Sequence, residues 1–342
     1  MLSGFIELNS DQRRETINTQ QRFQAWRDAH ARQLVYRGSM VWSESKNRQY
    51  LMRSTYDKMG RRRQISLGPR TLETEGKKAE FEQARADVQE RVASLRQVMK
   101  RQAAVNRAVG LGRVPVIGAK IIRALDASGL LGNGIRVLGT TAIYAYEAMA
   151  GVHIESGLAT TEDVDLLLDA RAKVGFVATE DVEEASLLRI LLRVDRSFRR
   201  TDQTFRAVNK EGYLVDLIKP LRDPPWTKEA TQLGDDPDDL TAVEIAGLTW
   251  HESAPAFTAT AIDERGEPLR IVTSDPRVFA VHKFWLSKRA DRQPIKRRRD
   301  LEQAKVVARL VAMHMPHLPF HWEQLRMLPK TLVNEAKPLF NS

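Results

Sequence analysis

Hydrophobic positions change their period several times along the chain, and each change marks an element. Residues 11–33 are polar, with Phe23, Trp26 and Leu34 as the few apolar anchors in or just beyond them, which predicts a polar helix. Three runs rich in aromatic and β-branched residues follow: GSMVWSE, RQYLMRS and RRQISLG, at 38–44, 48–54 and 62–68. Short polar turns, SKN and DKMG, separate them, so they predict a three-stranded meander that Gly68-Pro69 stops. From Leu72 to Val109 there is no proline, and glycine occurs only at Gly76 before Gly110 closes the run. This predicts one helix about 50 Å long. Phe81, Ala84, Val88, Leu95, Val98, Val105 and Val109 fall on an a/d-like stripe broken by Arg91 and Gln102. Such a helix either packs along its own protein or serves as a dimerising or nucleic-acid-reaching arm.

The texture changes after a shorter helix over Pro115–Gly129. IRVLG (135–139) reads as a buried strand, and TTAIYAYEAMAG (140–151) as an apolar helix that starts directly after a glycine. DVDLLLDA (163–170) is a second strand and 181–195 a charged amphipathic helix, followed by the strand pair TFRAV (204–208) and GYLVDLIK (212–219). TAVEIAGLTW, AFTATAID and PLRIVT predict further strands, the last two joined as a hairpin by ERGEP. From Pro276 onward the pattern is helical, ending in two short helices within 320–338. The expected fold class is α+β in three parts: residues 1–112 (helix, β-meander and long helix), 113–275 (a mixed-sheet core) and 276–342 (a helical cap).

Composition narrows the function. There are 54 Lys+Arg against 44 Asp+Glu, but residues 1–132 carry +12, residues 133–280 carry −10 and residues 281–342 carry +8. An acidic middle therefore lies between two basic flanks. The absence of cysteine excludes a disulfide framework, a thiolate metal site and a cysteine nucleophile. The N-terminus lacks an apolar signal core and no stretch is long and apolar enough to span a bilayer, so a cytoplasmic protein without membrane partners is expected.

Three pieces of the acidic middle carry candidate chemistry. Gly139-Thr140-Thr141 lies where a strand runs into a helix, and backbone N–H groups and hydroxyls there suit a phosphate. In Asp163-Val164-Asp165 the strand period of two places both carboxylates on one face. Asp216 stands alone between Val215 and Leu217 in a later strand. Isolated acids in buried strands are unfavourable unless partnered, and divalent cations are the usual partners; otherwise Asp216 would pair with Lys219 or Arg206. Three carboxylates converging on two Mg²⁺ ions about 3.5–4 Å apart would activate an attacking hydroxyl and hold a triphosphate.

In this order the pieces resemble the nucleotidyltransferase fold of the polymerase-β superfamily. TEDVDLLLDAR, followed by VHKFWLSKRADRQPIKRRRDLEQA, is more closely similar to bacterial nucleotidyltransferase-fold proteins, with the likeness spanning 115–315. The resemblance implies that Asp163 and Asp165 bind both metals and that Asp216 serves the metal activating the acceptor. It also implies that Gly139, Thr140 and Thr141 contact the phosphates and that Lys283 stabilises the leaving pyrophosphate. The gap of 24 residues from Gly139 to Asp163 departs from the family pattern, so GVHIESGLATTE is expected to loop out.

Arg61, Arg62 and Arg63 at the meander, and Lys296, Arg297, Arg298 and Arg299 near the C-terminal helices, are either solvated basic faces or nucleic-acid contacts. Tyr36, Trp42, Tyr50 and Tyr56 would then be either the meander's core or stacking platforms. His314-Met-Pro-His317 has metal-like spacing, but its proline breaks the helix. GLGRVPVIGAK lacks the Gly-Lys-Ser/Thr ending of a phosphate loop. The expected function is Mg²⁺- or Mn²⁺-dependent transfer of a nucleotide from NTP to an acceptor hydroxyl, with RNA, tRNA-like, as acceptor. A toxin-type enzyme, a partner antitoxin and self-association through the long helix fit the same reading. The alternatives are a silent nucleic-acid or partner-binding scaffold and a small-molecule or protein nucleotidyltransferase.

Overall fold

The computed structural model describes residues 4–56, 61–169, 186–222 and 229–341. The DKMG turn, the Ala170-Arg171 end of TEDVDLLLDAR and the first part of the helix expected at 181–195 lie outside these residues, as does the side chain of Tyr56. The chain divides into two compact units, one of residues 1–13 with 109–342 and one of residues 14–108.

In chain order, strand β1 (Phe5–Glu7) precedes helix α1 (Ser10–Val35). The meander β2 (Ser39–Ser45), β3 (Arg48–Tyr56) and β4 (Arg62–Pro69) follows, then helix α2 (Leu72–Ala108). The SKN turn is built by Lys46 and Asn47, both at positive φ, as a tight hairpin requires. Within this unit α1 and α2 run antiparallel. Thr19 Oγ1 donates to Asn106 Oδ1 at 2.9 Å near one end, and Ala29 packs with Val92 and Leu95 further along.

The stripe expected on α2 needs correction. Val105 is exposed, while Gln102 and Asn106 are buried. Gln102 donates to Glu15 Oε2 (3.0 Å) and Asn106 Oδ1 (2.9 Å) and accepts from Arg22, so this helix pair closes on a satisfied polar network rather than on valines. Glu15 is held near pKa 2 by these side-chain hydrogen bonds, with Gln102 the foremost donor. The meander is anchored by fully buried Leu51, while Trp42 is half-buried beneath the Arg70 guanidinium, 5.1 Å from the ring centroid.

The larger unit begins with α3 (Val116–Ala127), β5 (Ile135–Leu138), a 3₁₀ turn at Thr140–Ala142 and α4 (Ile143–Ala150). The segment expected to loop out is instead ordered as β6 (Val152–Ile154) and the single turn α5 (Ser156–Ala159). β6 pairs antiparallel with β1, and buried Glu147 ties it down by accepting from the Ile154 N–H at 2.9 Å and from Arg113 Nε at 3.0 Å. Next come β7 (Asp163–Leu168), α6 (Leu187–Val194), β8 (Arg199–Arg200), β9 (Arg206–Val208), β10 (Leu214–Pro220) and β11 (Val243–Ile245). The apolar run GLTW, expected as strand, is α7 (Leu248–Ser253), entered through Gly247 at φ +84°. The hairpin β12 (Ala256–Ile262) and β13 (Pro268–Ser274) leads to α8 (Pro276–Lys288), α9 (Pro294–His314) and α10 (Lys330–Ala336).

The main sheet is mixed, in the order β5-β7-β10-β9-β8, with β11 continuing alongside the far half of β10. β7 and β10 are parallel neighbours; β5 with β7 and β9 with β10 are antiparallel. One face presents Val164, Leu166, Val215 and Leu217 to the principal core. By strict alternation the other face carries Asp163, Asp165 and Asp216, with Leu167 and Ile218 closing a small apolar floor with Leu138 and Leu248.

Candidate active site

Register brings the acids together. Leu214 lies opposite Asp163 and Asp216 opposite Asp165 on the parallel pair, while β9 places Arg206 opposite Asp216 on its other side. Neighbouring strands are about 4.8 Å apart, so Asp165, Asp216 and Arg206 form one row across the sheet. Arg206 grips Asp216 with two hydrogen bonds, Nε to Oδ1 at 2.7 Å and Nη2 to Oδ2 at 2.6 Å. The ion pair weighed above as the alternative for Asp216 is therefore present. Asp163 accepts from the Thr161 hydroxyl.

Electrostatics single out Asp165. Loss of solvation raises its carboxyl to a pKa of about 7, reinforced by the charges of Asp163 and Asp216 and opposed by Lys283 and Arg206. Two like charges beside a dehydrated carboxylate leave it held ionised only at cost, and a nearby cation would reverse that balance.

Gly139 fits the site by having no side chain. It sits at φ +61°, ψ −154°, a region that essentially only glycine occupies, and a Cβ there would lie 2.0 Å from Asp165 Oδ2. Thr140 and Thr141 then open the 3₁₀ turn, where Ala142 N–H is the first to donate back, to Gly139 O at 3.2 Å. The N–H groups of Thr140 and Thr141 precede that bond and so stand outside the helical ladder. Thr141 Oγ1 donates to the Asp163 carbonyl at 3.2 Å and Thr140 Oγ1 accepts from Gln303 Nε2 at 3.2 Å. Replacing Gly139 by Ala should cost about 2 kcal/mol from backbone strain alone. That is a melting temperature lower by about 4–8 °C in thermal unfolding. Gly157→Ala, where a Cβ meets nothing within 4 Å, should leave it unchanged.

Lys283 is buried, and its ammonium donates to Asp300 Oδ1 at 2.8 Å, while Asp300 Oδ2 accepts from Arg292 Nε at 2.8 Å. The lysine expected to meet a triphosphate is thus held by an acid of α9, although its charge is felt at Asp165. Behind it, His251 Nε2 and His282 Nδ1 share a hydrogen bond of 2.8 Å and both are held neutral by burial, His251 near pKa 3. In the run 296–299, Arg297 is half-buried and Lys296, Arg298 and Arg299 are exposed. The run forms the first turns of α9, the helix whose Gln303 touches Thr140, and Arg299 donates to the Thr160 carbonyl at 2.7 Å. Arg61, Arg62 and Arg63 are exposed in the other unit at the start of β4.

Sequence pattern does not single out Gln303, whose partner Thr140 lies 163 residues away, or Asp300, which is close in sequence to Lys283 and Arg292 but sits beside a basic run that reads as a solvated face. The i, i+3 spacing of Asp300 and Gln303, both buried, places them on one inward side of α9 and becomes informative only once that side's partner is known.

A nucleotidyltransferase family model matches residues 117–327, well over half of the chain and wholly within the larger unit. The chain belongs to this nucleotidyltransferase family, so its chemistry is nucleotide transfer. No curated protein and no solved structure matches it.

The acidic row offers three carboxylates to a divalent cation, Asp163, Asp165 and Asp216. Among the described residues no three His, Cys, Asp or Glu side chains stand in ready-made metal-binding geometry. The chemistry nevertheless fits: the donors are hard carboxylate oxygens, Asp165 is destabilised by burial and by its anionic neighbours, and Asp216 is already paired with the Arg206 cation.

Proposed function

We propose that this chain transfers a nucleotidyl group from an NTP to an acceptor hydroxyl on RNA, with a divalent cation, Mg²⁺ or Mn²⁺, at the acidic row. One observation carries the reading: Asp163, Asp165 and Asp216 occupy one face of adjacent strands beside a glycine that no other residue could replace without displacing Asp165. Asp163 and Asp165 would hold the cation, which supplies charge neutralisation of the triphosphate and acidifies the attacking hydroxyl. The turn at Thr140 and Thr141 would receive phosphate oxygens on its free N–H groups.

The acceptor oxygen forms a bond to the α-phosphorus, the bond to the bridging oxygen breaks, and pyrophosphate leaves. Asp216 takes the acceptor's proton. Both oxygens of Asp216 accept from Arg206, so Arg206 must exchange Asp216 for the incoming phosphates before the carboxylate can act. RNA is favoured as acceptor because positive charge is concentrated in the other unit. Residues 14–108 hold 21 Lys and Arg against 10 Asp and Glu, whereas the family-matched unit is one charge short of neutral. A tRNA-like acceptor and a toxin-type role are the finer form of this reading.

The test is incubation with each α-labelled NTP, Mg²⁺, total RNA and total protein. Label should enter the RNA pool, and Asp163→Ala should remove it. Label in protein or small molecules would replace the acceptor, and the absence of any label would favour a binding scaffold.

A further inference from the structure

The unit of residues 14–108 contains a cavity of about 220 Å³ between the end of α1 and the middle of α2. That is several times the space an ordered water needs. Its lining includes Arg37 and Arg85, with Gln33 and Gln89 as further polar groups and His30 and Tyr36 as rings. No acid lines it. Among the described residues, neither Arg37 nor Arg85 forms an ion pair, although both lie within a folded unit where acids are available: Glu82 binds Lys78 and Asp87 binds Gln83 instead.

A third guanidinium lies behind them. Arg53 stacks on the Phe81 ring, 4.2 Å from its centroid, and Tyr36 packs on the same ring at 5.7 Å. Arg53 Nη2 donates to the Val35 carbonyl at 3.2 Å, but its Nη1 is buried and among the described residues has no acceptor. Burial chiefly, and then the charge of Arg85, depress the Arg53 pKa. Gly38 makes this crowding possible: at φ +83° it brings the chain so close to β3 that a Cβ would lie 2.0 Å from the Ser54 carbonyl.

Guanidiniums without a carboxylate partner around a polar cavity are complementary to a phosphate, which offers bidentate oxygens to each fork. Rings at the rim add a face on which a base can stack. The surplus of positive charge over this whole unit marks a polyanion rather than a small free anion as the partner.

We propose that this cavity binds a backbone phosphate of single-stranded RNA, with Arg37 and Arg85 as the clamp and His30 or Tyr36 beneath the adjoining base. The inference rests on the RNA-acceptor reading for its biological setting and on the cavity for its chemistry. It makes residues 14–108 the part that seizes the acceptor, at a place separate from the acidic row.

The test uses the full-length chain and a fluorescein-labelled 20-nucleotide RNA, followed by anisotropy across a salt series. Arg37→Ala/Arg85→Ala should weaken binding at least tenfold and reduce the slope of log K against log salt by about 0.7, the value for one single-strand phosphate. The charge-matched pair Arg91→Ala/Arg96→Ala, both exposed on α2 outside the cavity, should weaken it far less. Arg37→Ala alone alters an exposed side chain and should show a partial loss without unfolding. Equal losses in the two double variants overturn the clamp, as does a wild-type chain that does not bind this RNA. Competition by inorganic phosphate at micromolar concentration would show a free-anion site and overturn it too. If label transfer reaches RNA while the clamp variant binds normally, only the clamp fails. If the clamp variant loses RNA binding while label enters protein, only the acceptor reading fails.

Discussion

Asp165→Asn should abolish nucleotide transfer while making the metal-free protein more stable. The activity loss, about 10³-fold in label transfer, follows from removing a carboxylate that would hold the cation neutralising the triphosphate. The stability gain follows from the site's own repulsion. Asp165 titrates near 7 in the folded chain against an ordinary value of 3.8. A carboxyl whose folded pKa is raised binds its proton more tightly when folded than when unfolded. Its contribution is therefore favourable below the unfolded value and is lost as pH rises through the folded one. Between about pH 4 and 7 the wild-type chain without divalent cation should lose at most about 4 kcal/mol from this group. Asparagine keeps the shape and removes the charge, so melting scans from pH 4 to 8 should show a flatter profile and a higher melting temperature at pH 8. A variant that is both inactive and less stable at pH 8 would place Asp165 in a structural role instead.

Asp300→Ala should be among the most damaging single changes outside the acidic row. The aspartate is almost fully buried and serves two cations at once, Lys283 and Arg292. Truncating it leaves the Lys283 ammonium buried with no partner, at a cost of about 3–5 kcal/mol. Thermal unfolding should fall by roughly 10 °C. Lys283→Met added to Asp300→Ala should recover much of that loss, because the pair is then removed rather than broken. The same variants decide what the lysine does. If Lys283 only balances Asp300, the double variant binds NTP as the wild type does. If it also meets the triphosphate, KM for NTP rises in Lys283→Met even where stability is restored.

Much of the acidic row was legible because strands announce themselves by alternation. In DVDLLL and LVDLIK the acids interrupt apolar runs on a fixed period, so their shared face follows from the pleat. The pairing of those two runs, and the parallel register that sets Asp216 beside Asp165, could be guessed but not read, since registers depend on contacts about 50 residues apart. Short apolar runs misled: Leu248 and Trp250 look strand-like, but Gly247 turns the chain into a helix that caps the floor beneath the acids. Gln102 looked like a break in the α2 stripe because sequence pattern equates polar with exposed. Its partners Glu15 and Arg22 come from another helix, 87 and 80 residues earlier. The ordered β6 was hidden for the same reason, since its partner β1 lies at the far amino-terminal end.

That pairing of β1 with β6 has a practical consequence. Residues 1–13 belong with 109–342, and Gln12 Nε2 reaches the Val109 carbonyl at 2.9 Å, so the two points where the chain leaves and re-enters this unit lie side by side. The ninety-odd residues between them are an insertion, not a leading domain. Trimming the chain back to residue 109 would strip an edge strand from the family-matched unit along with the basic unit. Excising residues 14–108 and joining the cut ends through a short linker removes the basic unit alone. The excised protein, rather than the truncated one, is the proper vehicle for asking what nucleotide chemistry remains when the basic unit is gone.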